Sequence, residues 1–371
     1  MTRRHTYYLI ARTLALDIYP ERAGEIVKNL PAKETHWQML VKTGSDNMIL
    51  PSFFLALRRH DLLKHLPADL QQYLQYVFEL NKERNLNVIR QAGEVRDLLK
   101  SENIPCLFMK GTGNILDGLY SDTGERMVYD LDVLVPEDKM LIAAQLMEEK
   151  GYHTQKKFNP RALESTMHYP ILLREDQVAG VEIHRMPVQY LYRKSFRAQD
   201  IFENAVESKH EKGFLLMNYS HRIIHNFLHA QLMHSGHYNA RVSLRDLYDL
   251  LLLSRQADVL ETLSRFAHYR SKSAAYFKLM HKVFGLEMPE ELKHTRRGDF
   301  FLRRHERVMR MNDTQLKWHM ITIMILQKYV VLPARVLWNR QARNYVFSRL
   351  LDPAWYGRHL KAMGRVIRRK P

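Results

Sequence analysis

Apolar positions in the first hundred residues recur at helical spacing, most clearly at Val88, Ala92, Val95 and Leu99, which lie four, three and four positions apart. Residues 1–100 are expected to form a helical cap. The period then shortens to alternation. Strands are predicted at Cys106–Met109 and Met127–Val135. A helix over Thr112–Tyr120 lies between them, and another follows over Glu137–Glu149, where Ile142, Ala143 and Leu146 make an apolar stripe. Gly151–Phe158 and Tyr169–Arg174 read as further strands, and Glu175–Gly180 turns the chain into one more at Val181–His184. Beyond about Asp200 helical spacing returns, with Ile223, Phe227, Leu228 and Leu232 on one stripe and Leu244, Leu247 and Leu251 on the next. The expected fold class is α+β: a small mixed sheet within 101–200, backed by two helices on one side and flanked by N- and C-terminal helical regions. The later helices divide into 201–293, which would cover the cleft of the core, and 294–371. No internal repeat or low-complexity tract is visible.

Within the alternating stretch, a period of two sorts charge from hydrocarbon. Tyr129, Leu131, Val133 and Val135 fall on one face, and Arg126, Val128, Asp130 and Asp132 on the other. Two carboxylates that close repel by about 4 kcal/mol at roughly 4 Å and an effective dielectric near 20. In a cleft they require a compensating cation, for which magnesium is the natural candidate. Further on, Val181 and Ile183 alternate with Glu182 and His184, and a third carboxylate becomes available. Two aspartates two apart on one strand, with one acid on a neighbouring strand, can hold one or two hard cations against triphosphate oxygens and align an in-line attack.

Taken together, these segments resemble a known family. Strand, Gly with a small hydroxyl residue, helix, Asp-x-Asp and a later lone acid is the pattern of the polymerase beta type nucleotidyltransferase superfamily. More narrowly, Ile104–Gly111 (IPCLFMKG), Arg126–Val135 (RMVYDLDVLV) and Val181–His184 (VEIH) resemble a bacterial group of uncharacterised nucleotidyltransferases, in which Lys-Gly replaces the usual Gly-Gly or Gly-Ser. The resemblance covers roughly Asp61 to Leu253. It makes 101–200 a nucleotidyltransferase core. It implies transfer of a nucleoside monophosphate from a nucleoside triphosphate, ATP among them, to an acceptor hydroxyl or phosphate, with Mg2+ or Mn2+ as cofactor and pyrophosphate leaving.

The same resemblance implies roles for single residues. Asp130 and Asp132 become metal ligands, and Glu182 stands at the third carboxylate, as ligand, general base or both. Gly111 and Thr112 would sit at the phosphates, because Gly admits close backbone approach and amides at a helix start face anionic oxygen. Lys110 would add a point charge for phosphate. Arg126 would meet the triphosphate or orient a carboxylate. His184 would act beside Glu182 or at the leaving group. Two departures stand out: Glu182 is longer than the usual Asp, and Lys110 adds bulk and charge before Gly111.

Charge changes the picture only at the end of the chain. The formal net charge is +17, and residues 294–371 hold eighteen Lys or Arg against four Asp or Glu, which is +14 of that surplus. Arg296, Arg297, Arg303, Arg304, Arg307 and Arg310 open this region, and Arg365, Arg368, Arg369 and Lys370 close it, with Trp338, Tyr345, Trp355 and Tyr356 interleaved. Such a surface suits RNA, a phosphorylated acceptor or an anionic membrane, and a solvated basic face accounts for it equally well. Trp318–Leu337 is apolar but interrupted by His319, Gln327, Lys328 and Arg335, so interfacial binding fits better than a spanning helix. The opening MTRRHTYYLIARTLAL has neither a long apolar run nor a small-residue cleavage site, which points to the cytoplasm, including the inner face of the membrane.

The remaining chemistry is sparse. Cys106 is the single cysteine, so no internal disulfide forms; it reads as a small hydrophobe in a strand. His225 and His229 lie one turn apart, with His234 and His237 beyond, a ligand-capable cluster that packing explains equally well. Arg245, Asp246 and Asp249 fall on a helix beside an apolar face, where surface pairing is expected and a nucleotide or domain contact is the alternative. Two readings rival the enzyme: a protein that binds nucleotide or RNA on the same fold without chemistry, and a membrane-peripheral scaffold.

Overall fold

The computed structural model describes residues 2–31, 33–264, 266, 269–350, 356, 357, 359–361 and 364. Trp355, Arg365, Arg368, Arg369 and Lys370 lie outside the described residues. Among the described residues of the first hundred every regular element is a helix, as the spacing predicts: α1 (Arg3–Leu14), α2 (Ala23–Asn29), α3 (Glu34–Asp46), α4 (Leu50–Arg59) and α5 (Ala68–Ser101). The core follows as β1 (Leu107–Phe108), α6 (Lys110–Leu116), β2 (Asp130–Leu134), α7 (Met140–Glu149), β3 (His153–Thr154), β4 (Leu172–Leu173) and β5 (Gly180–His184). After α8 (Ala198–Glu203) a short pair of strands, β6 (Val206–Glu207) and β7 (Leu215–Leu216), extends the sheet within a stretch whose spacing predicts helix alone.

These strands make one seven-stranded mixed sheet in the order β3-β4-β5-β2-β1-β7-β6. The pairs β2–β5 and β1–β7 run parallel, and the others antiparallel. Leu131, Val133, Val135, Val181 and Ile183 pack with Val88, Ala92, Val95 and Leu99 of α5 and with Ala143, Ala144 and Met147 of α7. The α7 stripe is shifted from the predicted one. Met140, Ala143, Ala144 and Met147 are buried while Ile142 is half exposed, because the two alanines let the helix lie close on the sheet.

β2 starts three residues later than the alternation predicts, and α5 is the reason. This helix of 34 residues, about 51 Å long at 1.5 Å per residue, presents a row of amides to the core. Asn81 and Asn85 donate to the Arg126 carbonyl at 3.2 and 2.7 Å, and Arg84 reaches the Tyr129 carbonyl at 3.2 Å. Side chains rather than a neighbouring strand thus satisfy the backbone before Asp130. Gln91 clasps Ala179 in both directions, donating to its carbonyl at 2.8 Å and accepting from its N–H at 3.1 Å. One helix therefore fixes the approach to both β2 and β5.

The rest of the chain packs helices against the opposite side. α9 (Tyr219–Phe227) continues into a π-helical turn, Leu228–Met233, and α10 (Gly236–Asn239), α11 (Leu244–Leu253), α12 (Val259–Ser264), α13 (Arg270–Phe284), α14 (Glu290–Lys293) and α15 (Arg296–Met309) follow. Their apolar stripes join α1, α4 and the sheet residues Leu107, Met109 and Leu134 in one large core. Last come α16 (Asp313–Leu326), a π-helical turn at Gln327–Val331, α17 (Leu332–Val336) and α18 (Arg340–Leu350). Cys106 is buried, and burial pushes its thiol up to about 12, in keeping with an inert packing role.

Three imidazoles in the helical layer carry a pH dependence. Burial pushes His225, His237 and His305 down to about 4, against an ordinary 6.5. The unfolded chain binds protons below 6.5 that the folded chain does not, so their contribution is complete above that pH and is lost as pH falls toward 4. The loss should reach roughly 2 kcal/mol per imidazole by about pH 5. Urea midpoints measured at neutral and at mildly acidic pH check this; equal midpoints would contradict it.

Candidate active site

The site is built on the β2–β5 pair. The parallel register sets Asp132 opposite Glu182 and Asp130 opposite Gly180. With the aliphatic residues committed to the α5–α7 face, alternation leaves Asp130, Asp132, Glu182 and His184 on the other. His184 is fully buried, and its Nε2 lies 2.9 Å from Asp132 Oδ1 and 3.3 Å from Glu182 Oε2. Ligand atoms of Asp132, Glu182 and His184 all lie within 4.8 Å of one another, and they are the only such group among the described residues. Asp130 lines the same cavity outside that tight group.

Lys110 enters from the β1–α6 junction. Its φ of +52° is left-handed, unusual for a residue with a Cβ and costing roughly 1–2 kcal/mol. This conformation accompanies an ammonium whose Nζ donates to Asp132 Oδ1 at 2.5 Å, the same oxygen that faces His184. Burial opposes the charge on Lys110, but Asp132, Asp130 and Glu182 outweigh it and hold its pKa above the ordinary value. Burial also opposes the Asp132 carboxylate; Lys110 and His184 overcome it and keep that carboxyl well below the usual range. Glu182 is lowered as well, with burial outweighed by His184 and His168. Asp130 goes the other way: burial first, then the Asp132 charge, raises it. One strand thus carries a firmly ionised carboxylate and, two residues away, one that makes no ion pair among the described residues.

The other predicted residues take varied places. α6 starts at Lys110, two residues earlier than predicted, and ends at Leu116. Gly111 lines the cavity, and a Cβ there would come within 2.9 Å of Val128 Cγ2. Gly113 lets α6 lie against β1, since a Cβ would sit 2.5 Å from the Phe108 carbonyl oxygen. The Thr112 side chain turns to the sheet instead of the cavity, donating to the Asp130 carbonyl at 3.0 Å. Arg126 precedes β2. Its guanidinium makes a bidentate pair with Asp249 of α11, Nε to Oδ1 at 2.9 Å and Nη2 to Oδ2 at 2.8 Å, while Tyr120 donates to the same carboxylate at 2.8 Å. Both partners are buried, so Asp249 is not the surface residue its helix spacing suggests.

The cavity measures about 430 Å3. Opposite the acids it is walled by His225, His229 and His234, whose rings lie 6.1 and 4.1 Å apart in sequence order, and by Arg245 and Asp246. His225 Nε2 faces the Pro187 carbonyl at 2.9 Å, and burial lowers the pKa of all three rings, so the positive charge on this wall comes from Arg245 and not from the imidazoles. His237 stands apart, stacked on Phe301 at 5.2 Å. Sequence spacing did not single out His168. It bridges to the end of β5 opposite His184, with ring centroids 4.9 Å apart and Nε2 3.9 Å from Glu182.

The chemistry available is that of clustered hard oxygen donors next to a fixed ammonium, open to a cavity of small-ligand size. Comparison with known proteins gives one match. Residues 33–283 fit the family model described as uncharacterised nucleotidyltransferase. No curated protein and no solved structure matches the chain.

Proposed function

We infer from the uncharacterised nucleotidyltransferase family, to which this chain belongs, that the cavity binds a nucleoside triphosphate and transfers its nucleoside monophosphate to an acceptor hydroxyl or phosphate. The observation that carries this reading is the register of β2 against β5, which sets Asp132 beside Glu182 with Asp130 two residues along the same cavity wall. The donor set fits a hard divalent cation, Mg2+ or Mn2+: three carboxylates with one imidazole, of which Asp132, Glu182 and His184 already converge. Asp130, Asp132 and Glu182 would hold it. When bound, such an ion neutralises triphosphate oxygens and makes the α-phosphorus more electrophilic.

The chain's own groups supply the rest. The ammonium of Lys110 stands over the carboxylates and can pair with a phosphate oxygen. Gly111 exposes backbone at the cavity wall, where a triphosphate can approach. Glu182, held ionised beside His184 and His168, can accept the proton of the attacking hydroxyl. In that step the acceptor oxygen bonds the α-phosphorus, the bond to the bridging oxygen of the β-phosphate breaks, and pyrophosphate departs with the electron pair. Arg126 acts at one remove, by fixing Asp249 in the opposite wall.

One observation favours a second reading. Lys110 already neutralises Asp132, so the same cavity can bind nucleotide without transferring it. Pyrophosphate release from each ribonucleoside triphosphate, with magnesium or manganese, separates the two. Metal-dependent release from at least one triphosphate is expected, with Asp130→Asn lowering it about a hundredfold. If no triphosphate is consumed, calorimetry on the same samples decides: metal-dependent binding leaves transfer with a missing acceptor, and metal-independent binding establishes the second reading.

A further inference from the structure

The last helices carry a surface that the cavity does not use. From Thr314 to Leu351 the chain has six Lys or Arg and no Asp or Glu. α16, its π-helical turn and α17 form one rod, and α18 folds back from it at 119°. In α16 only Leu316 and Ile321 are buried, although the helix is apolar on most sides. Its exposed apolar side chains are ordered. Trp318, Ile325, Leu326, Tyr329 and Val330 follow at i, i+7, i+8, i+11 and i+12, a single stripe along the rod. The stripe ends at the bend in Leu337 and Trp338, which are 79% and 70% exposed. From Trp318 to Leu337 it runs about 29 Å.

Such a length of aliphatic and aromatic surface is costly in water and marks a contact. Its flanks define the partner. Lys317, whose Nζ lies 6.0 Å from the Trp318 ring centroid, and the exposed Arg340 at the bend flank the stripe, and no acid within Thr314–Leu351 offsets them. A nucleic acid would use the cations and the rings, but Ile325, Leu326, Val330 and Leu337 offer nothing to phosphate or base. A bilayer uses both, with apolar side chains among the acyl chains, Trp and Tyr at the headgroups and cations on lipid phosphates. Among the described residues no single helix is long and apolar enough to cross a membrane; the rod and α18 reach that length and composition only together, as a pair bent by 119°, and Lys328 interrupts the rod near its middle. We propose that α16 to α18 lie flat on an anionic phospholipid bilayer, with Leu337 and Trp338 inserted deepest.

The test is sedimentation of the full-length protein with vesicles of phosphatidylcholine alone, or of phosphatidylcholine and phosphatidylglycerol in equal parts. Binding to the mixed vesicles should exceed binding to the neutral ones by about tenfold or more. Leu337→Glu with Trp338→Glu should lower it by at least about tenfold at an unchanged unfolding midpoint. Should that pair fail to fold, Leu337→Ser with Trp338→Ser carries the same expectation. Lys317→Glu with Arg340→Glu should remove the preference for anionic lipid. No binding to the mixed vesicles, or undiminished binding by a folded Leu337/Trp338 variant, overturns the proposal. Salt-sensitive binding of single-stranded RNA in place of vesicles would assign the surface to nucleic acid instead.

Discussion

Asp132→Asn is expected to cut pyrophosphate release by about a thousandfold, equivalent to about 4 kcal/mol of barrier, while leaving the protein folded. Asp132 is the one carboxylate that meets Lys110, His184 and the β5 register at once. An amide oxygen can still accept from Lys110 Nζ or face His184, so the local packing survives. The negative charge that lowers the cost of burying that ammonium and gathers a cation does not. Measurement of turnover should be paired with a manganese titration read by electron paramagnetic resonance, in which the variant binds the ion more weakly. Turnover within tenfold of the parent would remove Asp132 from the chemistry and with it the reading of the β2–β5 pair as the catalytic seat.

Arg126→Ala should be the most destabilising of the substitutions considered, at about 3–5 kcal/mol, because it strands the Asp249 carboxylate in the interior with Tyr120 as its remaining partner. Asn81 and Asn85 keep their bonds to the main-chain carbonyl of residue 126, so the loss is confined to the guanidinium. Replacing both members of the pair by leucine should recover most of the loss, since no buried charge is then left alone. Urea unfolding of Arg126→Leu, Asp249→Leu and the double variant forms the cycle. An Arg126→Ala midpoint equal to the parent, together with a raised KM for triphosphate, would make this guanidinium a phosphate ligand and not a clip between the sheet and α11.

What could be read from the sequence was whatever depended on a period. Asp130, Asp132 and Glu182 were legible as a group because alternation with Leu131, Val133, Val181 and Ile183 fixes their common face before any partner is known. The α5 contact was legible in the same way, at Val88, Ala92, Val95 and Leu99. Period says nothing about what lies across a cavity. Asp249 sits on a helix whose stripe suggests an exposed flank, and only the arrival of Arg126 from another part of the chain makes it a buried partner. His168 is placed by a single bridge at the edge of β5, too short to leave a pattern. Thr112 fits the expected motif in type, but the early start of α6 turns its hydroxyl to the Asp130 carbonyl. The α7 stripe was misjudged because spacing ranked Ile142 by hydrophobicity, whereas the sheet selects the narrow alanine side.

The parallel pairing of β2 with β5 has a further consequence for how damage to this protein would show itself. No hairpin ties the two strands, so their alignment rests on side-chain packing and on the clasp between Gln91 and Ala179. A shift of one residue would turn Glu182 toward α5 and α7 and deliver Val181 and Ile183 to the cavity. Misalignment therefore cannot be silent. Deleting one residue from the turn that precedes β5 would not yield a stable protein with a poor site; it would yield one that is both inactive and unfolded, and insertions tolerated there must be absorbed entirely before Ala179.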